Sequence, residues 1–158
     1  MALVAVLLAS VVLAGCGGGG GGERRSKAAV TKRAEAVCAE GKKESDRLRE
    51  QAQIGARGEA AGEEIDATRA ALEAQIDGFA DLRGPASTDD DIAALLKHLR
   101  AASAGLEELK AAAVDGNLTV DDAISANPEL IQQINRSGAQ AADDLVALGW
   151  LTCIGVAS

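Results

Sequence analysis

Tyrosine is absent from the 158 residues, and phenylalanine, tryptophan and histidine occur once each. A chain with almost no stacking side chains and a net charge of −8 is a poor nucleic-acid binder. The lone histidine, His98, has no flanking motif and supports no Ser-His-Asp or Cys-His arrangement. It follows Leu95-Leu96 at the edge of a helical seam and reads as a boundary residue. Only two prolines interrupt the chain. No alternating apolar run is bounded by turn residues, so no strands are expected.

What is present is alanine, with Leu, Glu, Lys and Arg, a composition that favours helix over strand. Four helices are predicted. The first covers Lys27 to Gln53, with a weak apolar line of Val30, Ala34, Val37, Cys38, Gly41 and Leu48. Gly55 and Gly58 break it. The second covers Glu59 to Leu82 and places Ile65, Leu72, Ile76 and Phe79 on one face. Arg83-Gly84-Pro85 ends it. The third begins after Thr88 as N-cap, with Asp89, Asp90 and Asp91 at the positive end of the helix dipole. Its seam is Ile92, Leu95, Leu99, Ala102, Leu106, Leu109 and Ala113, broadened by Leu96, at the alternating steps of a left-handed bundle. Thr119 then caps a short helical turn, with Asp122 as the capping-box acid. Asn127-Pro128 starts the fourth helix. Its face is Ile131, Ile134, Gly138, Ala141, Leu145 and Leu148, and Gly149 stops it. Short connections imply antiparallel neighbours. The expected fold is therefore all-α, an antiparallel up-down four-helix bundle over residues 27–158.

Ahead of the bundle, residues 2–14 are Ala, Leu, Val and one Ser. As helix they span about 20 Å, at roughly 1.5 Å per residue. That is short of a hydrocarbon core of roughly 30 Å, and a signal-peptide apolar region fits better. The run closes on Leu13-Ala14-Gly15-Cys16, which resembles the lipobox of bacterial lipoproteins. The leader departs from the usual pattern in having no Lys or Arg before the apolar run, so either the start lies upstream or the basic region is unusually short. The resemblance implies a signal peptide over residues 1–15, cleavage after Gly15 and a diacylglyceryl anchor on Cys16. It places the domain on the extracytoplasmic face of the bacterial cell membrane.

Residues 16–26 read as the lipidated cysteine and a Gly-rich tether, disordered like the leader, since Gly17 to Gly22 loses too much backbone freedom to hold regular structure. Ten such residues reach about 17 Å. The tether meets a basic segment: residues 23–50 hold nine Lys or Arg against six Asp or Glu, and residues 51–158 hold seven against eighteen. Arg24, Arg25, Lys27, Lys32 and Arg33 lead it. They are candidate contacts for anionic headgroups, at about 1 kcal/mol per residue near the surface. The alternative is a solvated helix face. Trp150 also has two roles open to it, plugging the end of the bundle or entering the headgroup zone.

Two cysteines remain. Cys38 lies in the early half of the first helix and Cys153 just past the last. An up-down bundle brings both to one end, and an oxidising compartment favours their pairing as a disulfide. Two free thiols are the alternative; without a Cys-x-x-Cys pair they carry no redox motif. The early-helix cysteine and the terminal Leu148-Gly149-Trp150-Leu151-Thr152-Cys153 also resemble small helical secreted proteins and lipoproteins of GC-rich actinobacteria, which implies a fold and a disulfide but no activity.

Catalytic and metal chemistry finds little to stand on. One His, with both domain cysteines in a bridge, builds no typical zinc or copper site. Asp115-Gly116-Asn117 echoes a calcium loop, but Ala111 and Ala113 fall where oxygen ligands are needed. The pairs Glu63-Glu64, Glu107-Glu108 and Asp143-Asp144 sit on adjacent helix positions and read as solvated faces. No strand precedes Gly17 to Gly22 and no Lys-Ser follows, so the tract is no phosphate cradle. The expectation is a non-enzymatic, lipid-anchored binding or structural module without cofactor or metal, with an envelope protein as candidate partner. The alternative is a carrier holding a small apolar ligand or lipid in a cavity between helices.

Overall fold

A computed structural model of the chain describes residues 24–53 and 55–154. The leader, Cys16 and the Gly tether, on which the signal-peptide, lipidation and disorder expectations fall, lie outside the described residues. Those residues form an all-helical structure with no strand. Five α-helices are present: α1 (Lys27–Gln51), α2 (Glu59–Ala80), α3 (Asp89–Asp115), α4 (Val120–Ala126) and α5 (Pro128–Leu148). Two 3₁₀ turns accompany them, Ala86–Thr88 before α3 and a terminal turn, Leu151–Ile154. The count exceeds the expected four because the turn capped by Thr119 is a helix of its own. Thr119 accepts a hydrogen bond from the Asp122 backbone N–H at 3.0 Å, which meets one orphan donor of the first turn.

Two expected caps work differently. Thr88 makes no cap bond to α3; its hydroxyl donates to the Pro85 carbonyl at 2.8 Å. Asn127 makes no cap bond to α5; its amide donates back to the Ala123 carbonyl at 2.8 Å and closes α4. The α5 terminus follows the local rule closely. Gly149 takes φ 76°, a left-handed backbone that glycine adopts without strain. Trp150 N–H reaches the Leu145 carbonyl at 2.8 Å and Gly149 N–H the Val146 carbonyl at 3.0 Å. This is a Schellman motif. It turns the chain back, so that Trp150 enters the core beside Leu145.

Consecutive long helices meet in antiparallel register. Early α1 meets late α2, where Arg25 N–H donates to the Arg83 carbonyl at 3.0 Å. Early α2 meets late α3, where an added Cβ on Gly62 would lie 2.6 Å from Val114. Late α3 meets early α5, where an added Cβ on Gly105 would lie 2.4 Å from Ile134. Small residues at these points let the helix axes approach. The core has two parts. At the base, where the chain enters at Arg24, Val30, Ala34, Phe79, Leu82, Ile92, Leu95, Ala141, Leu145, Leu148 and Trp150 pack together. At the far end, Ala61, Ile65, Leu109, Ala113 and Ala123 form a second cluster. No α1 residue belongs to the second cluster. On α5 the buried face includes Ser137 rather than Gly138, which is exposed.

Candidate functional site: the slot between the first and last helices

α1 packs along α2 and touches the terminal turn, while α5 packs along α3 and touches the same turn. α1 and α5 therefore make little direct contact and meet chiefly through that turn. The α1 sequence supplies the reason. Toward a groove walled by α2, α3, Leu145 of α5 and the terminal turn it presents Glu35, Cys38, Ala39, Lys42, Ser45, Asp46 and Arg49, at helical spacings of one face. Beyond Cys38 that face has no large apolar side chain to bury, so nothing draws α5 against it.

The result is a slot of about 720 Å³, within the usual size of ligand sites. Phe79, Leu99 and Leu145 line its inner wall near the base. Cys153 and Thr152 of the terminal turn line its base end, opposite Cys38. The α1 wall is polar along its length, from Glu35 to Arg49. Lys42 Nζ donates to Asp46 at 2.8 Å, and Arg49 stands 3.8 Å from the same carboxylate. The hydrogen bond from Lys42 holds the Asp46 carboxyl below its ordinary pKa, against a smaller desolvation effect. Two other spaces are less suited to a ligand. One of about 740 Å³ is bounded by α1 residues alone and is an open surface. Another of about 300 Å³, where α1 ends and α2 begins, is walled partly by Arg49, Glu63 and Glu64.

Cys38 and Cys153 form a disulfide, with Cα atoms 5.1 Å apart, inside the range a bridge requires. It pins the terminal turn to α1. Trp150 is 2% exposed. Its ring stacks on Phe79 at a centroid distance of 5.6 Å. The indole thus fills the base of the core and has no surface to offer a headgroup, because the Schellman turn points it inward.

The basic residues are placed less simply than their sequence run suggests. Arg25, Lys27, Lys32 and Arg33 are exposed. Arg24, by contrast, pairs with Asp89 at 2.9 Å and donates to the Gly84 carbonyl at 3.2 Å. The α2–α3 connection thereby brings the Asp89, Asp90 and Asp91 cluster to the basic end, which offsets part of its charge.

His98, which the sequence places as a boundary residue, makes a polar contact across helices. His98 Nδ1 and Asp144 Oδ2 are hydrogen-bonded at 2.7 Å, with the two side chains 22% and 20% exposed. Nothing local signals it, since 46 residues separate the partners. A second polar group ties α2 to α3. Arg69 contacts Asp66 at 2.9 Å and Glu107 at 3.0 Å, Lys110 contacts Asp66 at 3.4 Å, and Ser103 donates to Glu73. Among the described residues, no buried side-chain nitrogen or oxygen lacks a partner, no cluster of three His, Cys, Asp or Glu is arranged to hold a metal, and no helix is long and apolar enough to cross a membrane. Comparison of the chain with protein-family models, curated proteins and solved structures returns no match.

Proposed function

We propose that this protein is a lipid-anchored, non-enzymatic binding module on the extracytoplasmic face of a bacterial cell membrane. The observation that carries the reading is Leu13-Ala14-Gly15-Cys16 followed at once by glycines. Cys16 is also the one cysteine that the Cys38–Cys153 bridge does not use. A bridge of that kind suits an oxidising compartment. Acyl chains on Cys16 hold the membrane at about 0.8 kcal/mol per buried methylene. Arg25, Lys27, Lys32 and Arg33 add a smaller attraction, reduced by the nearby Asp89 cluster. The domain itself is an up-down four-helix bundle of α1, α2, α3 and α5, with α4 as an elaboration of the α3–α5 connection. Its partner is an envelope protein or a ligand.

Mass analysis of the N-terminal peptide from protein made in its native host tests this reading. The expected species starts at Cys16 and carries diacylglycerol. Residues 1–15 intact on an unmodified Cys16 would overturn it. A second reading, a carrier of a small apolar ligand, is favoured by the slot between α1 and α5 and its wall of Phe79, Leu99 and Leu145.

A further inference from the structure

We infer that the outer face of α1 is a membrane-binding surface, which lays that helix flat along an anionic bilayer instead of standing the bundle on its base. The inference rests on the lipid-anchored, extracytoplasmic reading above and names the face that meets the lipid.

Spacing defines the face. Ala28, Lys32, Ala36, Ala39 and Lys43 recur at steps of four, four, three and four, which keeps them on one side of the helix. At about 100° per residue that side lies opposite the buried Val30, Ala34 and Gly41. All five residues are exposed, as is Arg25 just ahead of the helix. From Ala28 to Lys43 the stripe runs about 22 Å at roughly 1.5 Å per residue, and it holds no acidic side chain. Its small alanines let the backbone approach a headgroup layer closely. Elsewhere on α1, Lys42, Arg47 and Arg49 are held by Asp46 and Glu44. Arg25, Lys32 and Lys43 are in no such ion pair among the described residues. Charge across the fold points the same way. α1 packs along α2, α2 along α3 and α3 along α5, so α1 is one edge of the array. Residues 23–50 hold nine Lys or Arg against six Asp or Glu, and residues 51–158 hold seven against eighteen. An anionic surface therefore attracts the α1 edge and repels the rest. The base is the poorer footing: Asp81, Asp89, Asp90 and Asp91 are exposed there and offset Arg24, Arg25 and Arg83. Cys16 precedes Arg24 by eight residues, so an anchor on it is held beside the near end of this face.

Lysine footprinting tests the inference on protein from its native host, bound to vesicles of phosphatidylglycerol and phosphatidylcholine. A water-soluble acetylating reagent is applied with and without vesicles, and peptide mass mapping gives the ratio at each lysine. Lys32 and Lys43 should be shielded about fivefold, because an ammonium held at the surface by about 1 kcal/mol is free for only about a fifth of the time. Lys97, exposed on α3, should stay reactive. Vesicles of phosphatidylcholine alone, or 1 M salt, which shortens the screening length to about 3 Å, should abolish the shielding. Ala36→Glu with Ala39→Glu adds two acids to the face and should also abolish it. Ala139→Glu with Ala147→Glu adds the same charge at exposed positions of α5 and should leave it intact. Unchanged helicity and a retained Cys38–Cys153 bridge show that both variants fold. Shielding of Lys27 with Lys43 still reactive marks a bundle standing on its base and would overturn the inference, as would shielding that survives Ala36→Glu with Ala39→Glu. The same peptide map reads Cys16, so the two readings fail separately. A diacylglyceryl Cys16 with a reactive Lys43 sinks the face alone, and an unmodified Cys16 with Lys32 and Lys43 shielded sinks the anchor alone.

Discussion

Replacing Cys38 and Cys153 together by alanine removes a cross-link across a sequence separation of 115. In the chain-entropy account, a bridge of that span disfavours the unfolded chain by about 5 kcal/mol at 25 °C. Small domains hold roughly 5–15 kcal/mol in all, so the bridge is a large share. The structure adds a local reason for its weight. α1 packs along α2 and reaches the rest of the fold mainly through the terminal turn, and it contributes nothing to the far core cluster. Urea unfolding of the wild type and the double variant, followed by helical circular dichroism and by Trp150 fluorescence, gives the difference. The variant should lose about 3–5 kcal/mol and show a larger m-value, because its unfolded chain is more expanded. At roughly 2–4 °C per kcal/mol for a chain of this size, Tm falls by about 6–20 °C. Hydrogen exchange should show α1 and the terminal turn losing protection before α3 and α5. A loss under about 1 kcal/mol, with α1 still as protected as α3, would refute the view that the bridge clamps α1.

Gly105→Ala places a Cβ 2.4 Å from Ile134 Cγ1 and should cost about 1–3 kcal/mol by overpacking the α3–α5 contact. Gly138→Ala meets nothing within 4 Å and should stabilise by about 0.5–1 kcal/mol through helix propensity; thermal melts of the two variants must move in opposite directions. His98→Ala leaves the part-buried Asp144 carboxylate without its 2.7 Å partner and should cost about 1–3 kcal/mol in urea unfolding. The hydrogen bond from Arg69 holds the Asp66 carboxyl below its ordinary 3.8, with Lys110 adding to it and desolvation opposing. Its folded-state pKa is thus the lower one, so the contribution is whole above 3.8 and disappears as pH falls through the folded value. Asp66→Asn should flatten the acid loss of stability in that window, by a modest amount because the pair is partly exposed.

Local chemistry made much of the fold legible. The left-handed Gly149, the Thr119 cap and the apolar periodicity of α3 each depend on a few neighbouring residues, and each falls where the sequence places it. Thr88 and Asn127 depart because a competing local acceptor, Pro85 or Ala123, lies within reach and is equally accessible to a short polar side chain. Gly138 and Ser137 exchange faces because a glycine and a serine weigh little in an apolar pattern, so the stripe does not settle the rotation of α5.

The amino-acid sequence by itself determined the helical class, most helix ends and the two cysteines placed to meet, since all of these follow from composition, spacing and backbone preference. Tertiary structure alone decided which helices stay apart. It opened the slot by leaving the polar face of α1 unmatched, buried Trp150 on Phe79, set Asp89 beside Arg24 and joined His98 to Asp144. Those outcomes depend on which surfaces fit across dozens of residues, and periodicity along one helix carries no information about the helix it will meet.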